Sequence, residues 1–241
     1  MCGRLSLFVP ADDLGGRFNV SVPETYSPSY NVAPTDDVAT IRDDSRDAIE
    51  LVRWGLVPRW ADDPNDWNQF NARAETLTEK PAFRNAATKS DTEGSGRCLV
   101  LADGFYEWQD RTDGTQPFRI HRSDDEPFAM AGLYDRWKGE NGDGNGSDSL
   151  TTVTIVTTEP NDLMAELHHR MPVVLSQNEE QAWLDHGPDR SELLAPRPWK
   201  GFESYPVSSV VGDSSFDDPS VIEPIDAPST DPQTGLDEFG G

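Results

Sequence analysis

Cysteine is scarce in this chain, because Cys2 and Cys98 are the only two among its 241 residues. Two cysteines so far apart in sequence make neither a disulfide framework nor a zinc site. Long apolar runs are missing as well: none approaches the roughly 18 residues of a membrane-spanning helix, and the first residues lack the order of a signal peptide. We therefore expect a reduced, cytoplasmic protein that needs no membrane, metal or other cofactor.

Positive charge is the second scarcity. The chain has 44 acidic against 20 basic residues, a formal net charge of −24, and lysine occurs only at positions 80, 89, 138 and 200. Such a balance ordinarily argues against a nucleic-acid partner. We favour a second explanation, a halophilic surface adapted to molar salt, where the Debye length is about 3 Å and a distant carboxylate barely repels a phosphate. On that explanation, arginines that touch the ligand matter more than net charge.

Strand-like segments outnumber helical ones. β-branched and aromatic runs lie at 48–57, 97–108, 116–122, 127–137 and 150–158. Short helices are predicted at 161–167 and 178–184, the second with Ser176 as its N-cap. We predict a single α+β domain over residues 1–225, with a curved, mostly antiparallel β-sheet or barrel-like core flanked by short helices.

Acidic inserts rich in glycine and serine at 88–96 and 138–149 predict surface loops, and the second reads as a long hairpin loop. From position 202 onward the chain has no basic residue, while acids, prolines and serines accumulate. Residues 226–241 therefore predict an acidic, disordered tail.

Cys2 raises the question of why a reactive thiol should lie beside the start of the chain. A residue behind an initiator methionine is usually frayed and buries nothing, so packing explains it poorly. Removal of Met1 would put an α-amine with a pKa of about 8 on the same residue as a thiol with a pKa of about 8.5. Such a 1,2-aminothiol condenses with an aldehyde to a Schiff base, and the thiol then closes a thiazolidine ring. Attack on a carbonyl as an N-terminal nucleophile, or no role at all, stays open.

Residues 70–76 place Asn71, Arg73 and Glu75 at alternating positions. An extended backbone would turn all three to one face. Amide and guanidinium groups together suit a sugar-phosphate ligand, because arginine grips phosphate in a fork. A solvated strand edge with ordinary salt bridges is the alternative.

Residues 101–108 place Glu107 between two aromatic side chains at the end of an apolar run. Desolvation there would raise the pKa of this carboxylate toward general acid–base work. The alternative is a glutamate on the wet face of a strand.

Residues 167–172 hold His168 and His169 beside Arg170. Histidine is the usual proton shuttle near neutral pH, and the arginine can bind a phosphate. The alternative is a pair of histidines that satisfy the last carbonyls of a helix.

Residues 53–60 interleave Trp54 and Trp60 with two arginines around a proline. Exposed aromatics among arginines form a stacking platform for unpaired bases. The alternative, a core tryptophan on a strand, is favoured for Trp54 but not for Trp60.

Together and in this order, these stretches resemble one family, the SRAP proteins, named as SOS-response-associated peptidases, which shield abasic sites in single-stranded DNA. The matching segments are MCGR (1–4), YNVAPT (30–35), RWGLVPRWA (53–61), NARAET (71–76), LADGFYEW (101–108), HHRMPVVL (168–175) and YPVSSVVG (205–212). They span nearly all of the predicted domain, so the resemblance implies the SRAP fold.

The resemblance implies a DNA damage protein that forms a thiazolidine crosslink between an N-terminal cysteine and the aldehyde of a ring-opened abasic sugar. Weak lyase activity would be a side reaction of the Schiff base. The implied catalytic residues are Cys2, Asn71, Glu107 and His168, with register against Arg-Met-Pro selecting His168 over its neighbour. The resemblance also implies contacts with DNA. Arg4, Arg73 and Arg170 would bind phosphates, Trp60 would be an aromatic wedge against the DNA, and the turn from Asn31 to Pro34 would help to wall the site. We expect a monomer.

The chain departs from the family pattern at two places. Family members often have two adjacent bulky aromatics where this chain has Trp60 and Ala61, which predicts a thinner wedge. They continue with asparagine and basic residues where this chain reads Asp213-Ser214-Ser215, which argues against a DNA contact there.

Two other functions are alternatives to this one. A cysteine peptidase or amidohydrolase would use Cys2 as nucleophile with Glu107 and His168 as acid–base partners. A non-catalytic module would bind single-stranded DNA without needing Cys2.

Overall fold

The structure is a computed structural model, and it describes residues 2–88, 94–112, 114–139, 149–185 and 190–226. Within these ranges the strands are β1 (Leu5–Leu7), β2 (Ser29–Val32), β3 (Asp37–Arg42), β4 (Ser45–Trp54), β5 (Asn71–Arg73), β6 (Ser95–Ala102), β7 (Gly104–Arg111), β8 (Gly114–Arg122), β9 (Phe128–Lys138), β10 (Ser149–Thr158), β11 (Met171–Pro172), β12 (Val174–Leu175) and β13 (Phe202–Pro206). The helices are α1 (Ala11–Phe18), α2 (Pro81–Thr88), α3 (Asp162–Ala165) and α4 (Gln177–Leu184). Short 3-10 turns cover Pro64–Asp66, Ala74–Thr76, Ser191–Leu194, Ser209–Gly212 and Pro219–Ile222.

Strands β3, β4, β6, β9 and β10 close into a barrel. Neighbouring strands in the ring pair antiparallel, except for the parallel pair of β4 and β10 that completes it. At the C-terminal end of β10, β5 pairs on one side and β11 on the other. This arrangement brings residues 71–73 and 171–172, which are distant in sequence, to the two edges of one strand.

The strand β6 shows where the core lies, since every one of its residues is buried. One face, with Leu99 and Leu101, packs in an apolar cluster that includes residues of α2 and α4. The other face, with Cys98 and Val100, packs in a second cluster that includes Cys2. A strand covered on both faces reads as a continuous apolar run rather than an alternating one.

A second, antiparallel sheet has the strand order β13-β8-β7-β1-β2. The first strand of the chain is therefore an inner one: Leu5 lies opposite Phe105 of β7 and opposite Val32 of β2. Pairing on both edges satisfies the backbone polar groups of β1. It also lays the residues ahead of β1 alongside the middle of β7.

The predicted α+β architecture with a mostly antiparallel, barrel-like core is confirmed. The predicted run at 97–108 is two strands that meet at Asp103. The predicted N-cap of α4 is also present: the Glu179 carboxylate accepts hydrogen bonds from the Ser176 backbone N–H at 2.9 Å and hydroxyl at 2.7 Å. No helix among the described residues is long and apolar enough to cross a membrane.

The two surface loops predicted from the sequence agree with the structure only in part. Strands β9 and β10 pair as the hairpin that the insert at 138–149 predicted, although residues 140–148 lie outside the described ranges. The prediction of a surface loop at 88–96 is partly wrong, because Ser95 and Gly96 are buried in β6. A Cβ at position 96 would lie 2.5 Å from an Asp43 carboxylate oxygen, so this glycine serves close packing rather than a turn. The predicted tail falls almost wholly outside the described residues and stays a prediction.

Candidate active site

Cys2 lies in the core, with a relative exposure of 0%, in the same apolar cluster as Leu5, Phe105 and Met164. The expectation of a frayed residue that buries nothing is wrong here, because pairing of β1 on both edges carries the start of the chain into the protein. Burial raises the pKa of the Cys2 thiol well above its usual value, and the neighbouring charge of Glu107 raises that pKa further. The thiol therefore stays protonated at neutral pH.

Asn71 is the first residue of β5, and its pairing with β10 opposite Ile155 aims it at the start of the chain. Its side-chain nitrogen donates to the Cys2 carbonyl oxygen at 2.9 Å. This bond fixes the orientation of the amide, because a carbonyl can only accept. The Asn71 Oδ1 atom is then a buried acceptor with no hydrogen-bond partner among the described residues. A buried unsatisfied acceptor costs free energy, which a donor on a ligand would recover.

Glu107 has a relative exposure of only 2%, so the alternative of a wet strand face is wrong. Residues 105 and 107 share one face of β7, and Phe105 packs in the Cys2 cluster. The Tyr106 backbone N–H donates to the Arg4 carbonyl oxygen at 3.0 Å, which extends the pairing of β1 and β7 toward the chain end. Burial raises the pKa of Glu107 to about 7. This carboxyl group can both give and take protons at neutral pH.

His168 follows the short helix α3 and is partly buried. Its Nδ1 lies 3.0 Å from the Arg170 backbone nitrogen and 3.1 Å from the Arg170 carbonyl oxygen. Burial lowers the pKa of His168. In the neutral ring Nδ1 accepts the backbone N–H, because that group can only donate, and the ring proton then resides on Nε2.

The loop that carries His168 is tied to β7. The Gln109 side chain donates to the Glu166 carbonyl oxygen at 2.9 Å. Residues 107 and 109 share a face of β7, so this bond brings the loop to the side on which Glu107 points. The exposed His169 ring lies against His168, with 4.2 Å between centroids.

Arg170 and Glu75 form a two-point ion pair with distances of 2.8 and 2.9 Å. Arg170 is buried and also donates to the Thr157 carbonyl oxygen at 2.8 Å. The expectation that residues 71, 73 and 75 share one face of a strand is wrong, because β5 ends at Arg73 and Glu75 lies in a 3-10 turn. The hydrogen bonds from Arg170 lower the pKa of Glu75. Arg73 is exposed at the end of β5.

Arg4 and Asn31 hold the segment that follows β13. The Arg4 guanidinium donates to the Gly212 carbonyl oxygen at 2.8 Å and to Asn31 Oδ1 at 3.3 Å. The Asn31 amide nitrogen donates to the carbonyl oxygens of Asp213 at 2.9 Å and Phe216 at 2.8 Å. Both side chains therefore have structural partners at the positions where the resemblance implied DNA contacts.

Trp60 is 49% exposed, whereas Trp54 is fully buried, as favoured from the sequence. The ring of Trp67 lies edge-on against Trp60 with centroids 4.8 Å apart. Arg59 anchors the loop through two hydrogen bonds to Asp135, at 2.9 and 2.7 Å. A second aromatic thus stands beside the first although position 61 is alanine, and sequence reasoning missed it because the two rings are separated by an acidic stretch. Pro34 is partly buried in the turn ahead of Thr35.

Thr157 is a second residue that sequence reasoning missed. It is fully buried on β10, opposite Arg73 of β5, and its hydroxyl has no hydrogen-bond partner among the described residues. A run of threonines in a strand gives no signal that one of them lies beside Arg73 and Arg170. No group of three or more histidine, cysteine, aspartate or glutamate residues that could hold a metal ion occurs in the described part of the chain.

Comparisons with known proteins identify the family of this chain. The family model "SOS response associated peptidase (SRAP)" matches residues 1–214. The abasic site processing protein YoqW of Bacillus subtilis is 42% identical over 233 residues, which cover 92% of this chain and 99% of that one. The abasic site processing protein HMCES of Gallus gallus is 32% identical over 235 residues, 83% of this chain and 67% of that one.

The fold is likewise known from solved structures. A crystal structure of a protein from Bacteroides thetaiotaomicron superposes with a TM-score of 0.81 at 26% identity, and it covers 93% of this chain and 100% of that one. The family match covers most of the chain, including every candidate site residue discussed above. The chain belongs to the SRAP family.

Proposed function

We propose that this protein processes abasic sites in single-stranded DNA and that, after removal of Met1, Cys2 forms a covalent thiazolidine with the ring-opened deoxyribose. The observation that carries the proposal is the convergence of two polar side chains on one buried cysteine. Asn71 donates to the Cys2 carbonyl oxygen at 2.9 Å, and the charge of Glu107 acts on the Cys2 thiol. The names of the relatives, abasic site processing proteins, support the substrate class.

The amine of Cys2 attacks first. A thiol whose pKa is raised by burial and by a neighbouring carboxylate is a poor first nucleophile, because the thiolate is the reactive form. An α-amine has a pKa of about 8 and needs only to lose one proton. The same reasoning disfavours the cysteine peptidase, which requires a thiolate with a depressed pKa in order to attack a carbonyl.

The reaction then proceeds in balanced steps. The neutral amine nitrogen bonds to the aldehyde carbon C1′, and one proton passes from that nitrogen to the aldehyde oxygen, which gives a carbinolamine. Protonated Glu107 donates to the departing hydroxyl, and water leaves as the iminium forms. The Cys2 sulfur adds to the iminium carbon and its thiol proton passes to the Glu107 carboxylate. The net reaction joins one aldehyde to one aminothiol and releases one water.

Asn71 and His168 prepare the two reactants. The Asn71 Oδ1 acceptor binds an N–H of the amine or a hydroxyl of the sugar, which orients the partners for attack. Neutral His168 donates its Nε2 proton to the sugar ring oxygen as the bond from C1′ to that oxygen breaks, and takes up the proton of the C1′ hydroxyl as the aldehyde forms.

A lyase side activity follows from the same intermediate. The iminium acidifies the neighbouring carbon, so β-elimination of the DNA strand competes with ring closure. Addition of sulfur removes the iminium and suppresses the elimination, so strand cleavage stays a minor outcome.

DNA is held by stacking and by few arginines. The exposed face of Trp60, backed by Trp67, stacks on an unpaired base. Exposed Arg73 meets a phosphate directly, and Arg170 becomes available when a phosphate replaces Glu75. A paired strand would deny its bases to such a platform, which gives the preference for single strands. We propose that the protein acts as a monomer.

The test is a denaturing gel of purified protein mixed with a single-stranded oligonucleotide that contains one abasic site. The wild type gives a shifted band that survives denaturation, and Cys2→Ala does not. An oligonucleotide without the abasic site is the matched control. Equal yields from the wild type and Cys2→Ala would refute the thiazolidine, and turnover of peptides without an adduct would favour the hydrolase.

A further inference from the structure

Asp103 is a second acid in the segment at 101–108, and the proposed function leaves it without a role. It lies at the junction of β6 and β7 with a relative exposure of only 2%. Burial raises the pKa of Asp103, while hydrogen bonds and the nearby Arg119 oppose the shift. A buried acid between two strands needs partners, and those of Asp103 lie on β1, directly after β1, and on β8.

Asp103 holds β1 through a set of hydrogen bonds with Ser6, Phe8 and Arg119, which we call the clasp. Its backbone N–H donates to the Ser6 carbonyl oxygen at 2.9 Å, and the Ser6 hydroxyl donates back to Asp103 Oδ1 at 2.6 Å. The other carboxylate oxygen accepts the Phe8 backbone N–H. Arg119 of β8 closes the cluster from behind, with hydrogen bonds to the Asp103 carbonyl oxygen at 3.2 Å and to Oδ1 at 3.4 Å. One side chain thus binds Ser6 of β1 and Phe8, the residue that follows the strand.

Gly104 makes this clasp sterically feasible. A Cβ at position 104 would lie 2.8 Å from the Ser6 hydroxyl oxygen and 2.8 Å from the Arg119 guanidinium. Real Cβ atoms do not tolerate such distances without displacement of both groups. The glycine therefore admits β1 and Arg119 to the same carboxylate.

We propose that Asp103 is a positioning residue that fixes the register of β1 and thereby places Cys2 beside Glu107. Ser6 lies opposite Gly104, so each residue toward the chain end lies opposite one further along β7, and position 3 falls opposite Glu107. The short motif thus has two roles: Asp103 and Gly104 hold the strand, and Glu107 supplies the acid. The role in positioning rests on the proposed function of Cys2.

The physical reason is the mobility of a chain end. An unrestrained terminus samples many positions, and a displacement of about 1 Å between reacting groups can cost on the order of 10²-fold in rate. Most residues near a terminus lose order quickly. A buried clasp four residues from the nucleophile keeps amine and thiol in register with the carboxyl group through both bond-forming steps.

Asp43 offers a matched control for a substitution at Asp103. It is also a buried acid, and it also accepts one side-chain hydroxyl and one backbone N–H, from Tyr134 at 2.9 Å and from Arg97 at 3.0 Å. Both of these partners lie on barrel strands, Arg97 on β6 and Tyr134 on β9. Asp103→Asn and Asp43→Asn therefore each replace a buried carboxylate that accepts one hydroxyl and one backbone N–H. Ser6→Ala removes a single hydrogen bond of the clasp and leaves the buried acid unchanged.

Two measurements test the proposal well below the melting temperature of every variant. In the first, single-turnover crosslinking at saturating DNA should fall by about tenfold in Asp103→Asn and less in Ser6→Ala, with Asp43→Asn close to the wild type. Affinity for DNA with a non-reactive tetrahydrofuran abasic analogue should be unchanged, because the clasp does not touch DNA. Equal crosslinking rates in Asp103→Asn and Asp43→Asn, or a loss of affinity that matches the loss of rate, would overturn the positioning role.

The second measurement is hydrogen exchange without DNA. The Tyr106 N–H, which donates to the Arg4 carbonyl oxygen, should exchange faster in Asp103→Asn and in Ser6→Ala but not in Asp43→Asn. Unchanged protection in both clasp variants would overturn the proposal. A wild type that forms no adduct would instead refute the proposed function and leave this readout intact.

Discussion

Asn71 donates its side-chain amide to the Cys2 carbonyl oxygen across 2.9 Å, so the proposed nucleophile is tied to strand β5 through its own backbone. The same amide leaves Oδ1 buried and unpartnered among the described residues. One side chain therefore anchors the cysteine and offers an acceptor to whatever enters the site.

Asn71→Asp should slow crosslinking, because the substitution sets a carboxylate oxygen against the Cys2 carbonyl oxygen. Loss of a buried hydrogen bond costs about 1–3 kcal/mol, which corresponds to a rate loss of about 5- to 150-fold. The measurement is the single-turnover rate on abasic single-stranded DNA. Asn178→Ala on the exposed start of α4 is the control and should leave the rate unchanged. A wild-type rate in Asn71→Asp would contradict the anchoring role.

Glu107→Gln should slow crosslinking by on the order of 10²-fold or more, because an amide cannot shuttle protons. The wild-type rate should rise with pH as the amine loses its proton and fall once Glu107, with a pKa of about 7, is ionised. The variant should lose the falling limb. A pH profile of the single-turnover rate makes the comparison, and an unaltered profile in Glu107→Gln would exclude this carboxyl group from proton transfer.

The same substitution should stabilise the fold in mild alkali. The folded-state pKa of Glu107 is raised to about 7, so its protonated form favours folding below the unfolded pKa of about 4.5, and that contribution is lost as the pH rises through about 7. The penalty at higher pH is up to about 3 kcal/mol. Urea unfolding at about pH 5 and pH 8 should therefore show Glu107→Gln gaining on the wild type only at the higher pH. Exposed Glu166→Gln is the control, and an equal gain at both pH values would contradict the account.

Trp60→Ala should weaken binding of single-stranded DNA by about 1–3 kcal/mol, the usual contribution of one stacked base. Trp67→Ala should weaken it too, because the edge-on contact at 4.8 Å holds the Trp60 ring in place. Trp67→Phe keeps an aromatic edge and should restore most of the affinity. Fluorescence anisotropy with a tetrahydrofuran-containing oligonucleotide gives these affinities. Wild-type binding by Trp67→Ala would remove Trp67 from the platform.

Glu75→Gln should tighten DNA binding, because Glu75 occupies the guanidinium fork of Arg170 that a phosphate would take. The slope of log affinity against log salt should stay the same, because Arg170 contacts one phosphate in both complexes and the variant only removes the competing carboxylate. Glu166→Gln changes the net charge equally and should not tighten binding. Weaker binding by Glu75→Gln would mean that the carboxylate orients Arg170 rather than competing for it.

How far the sequence predicts this molecule depends on the range of the interactions. Local patterns were sufficient for β8, β9, β10 and the capping of α4, since alternation, turn residues and a Ser–Glu pair act over a few positions. Closure of the barrel was not predictable from local pattern, because it depends on the parallel pairing of β4 with β10. The chemistry-bearing residues came largely from family resemblance, and the structure adds the contacts that relate them.

The errors have physical causes of the same kind. Cys2 was expected to be frayed because termini usually are, yet it is buried since β1 pairs on both edges. Glu75 was expected on the face of Asn71, but a 3-10 turn removes it from the strand and Arg170 captures it. The pairing of Trp67 with Trp60 has no sequence signal, because an acidic stretch of six residues separates them.

The most direct test of the central claim is the chemical state of Cys2 in the adduct, for which Cys98 is an internal reference because the chain has only these two cysteines. The adduct is formed without reductant, treated with borohydride, denatured, alkylated with iodoacetamide and mapped by mass spectrometry. The account predicts an N-terminal peptide that lacks Met1, carries the sugar with loss of one water, gains no hydrogen from borohydride and resists alkylation, while Cys98 is alkylated in full. An alkylated Cys2, a borohydride-reduced linkage or a retained Met1 in the crosslinked species would contradict it.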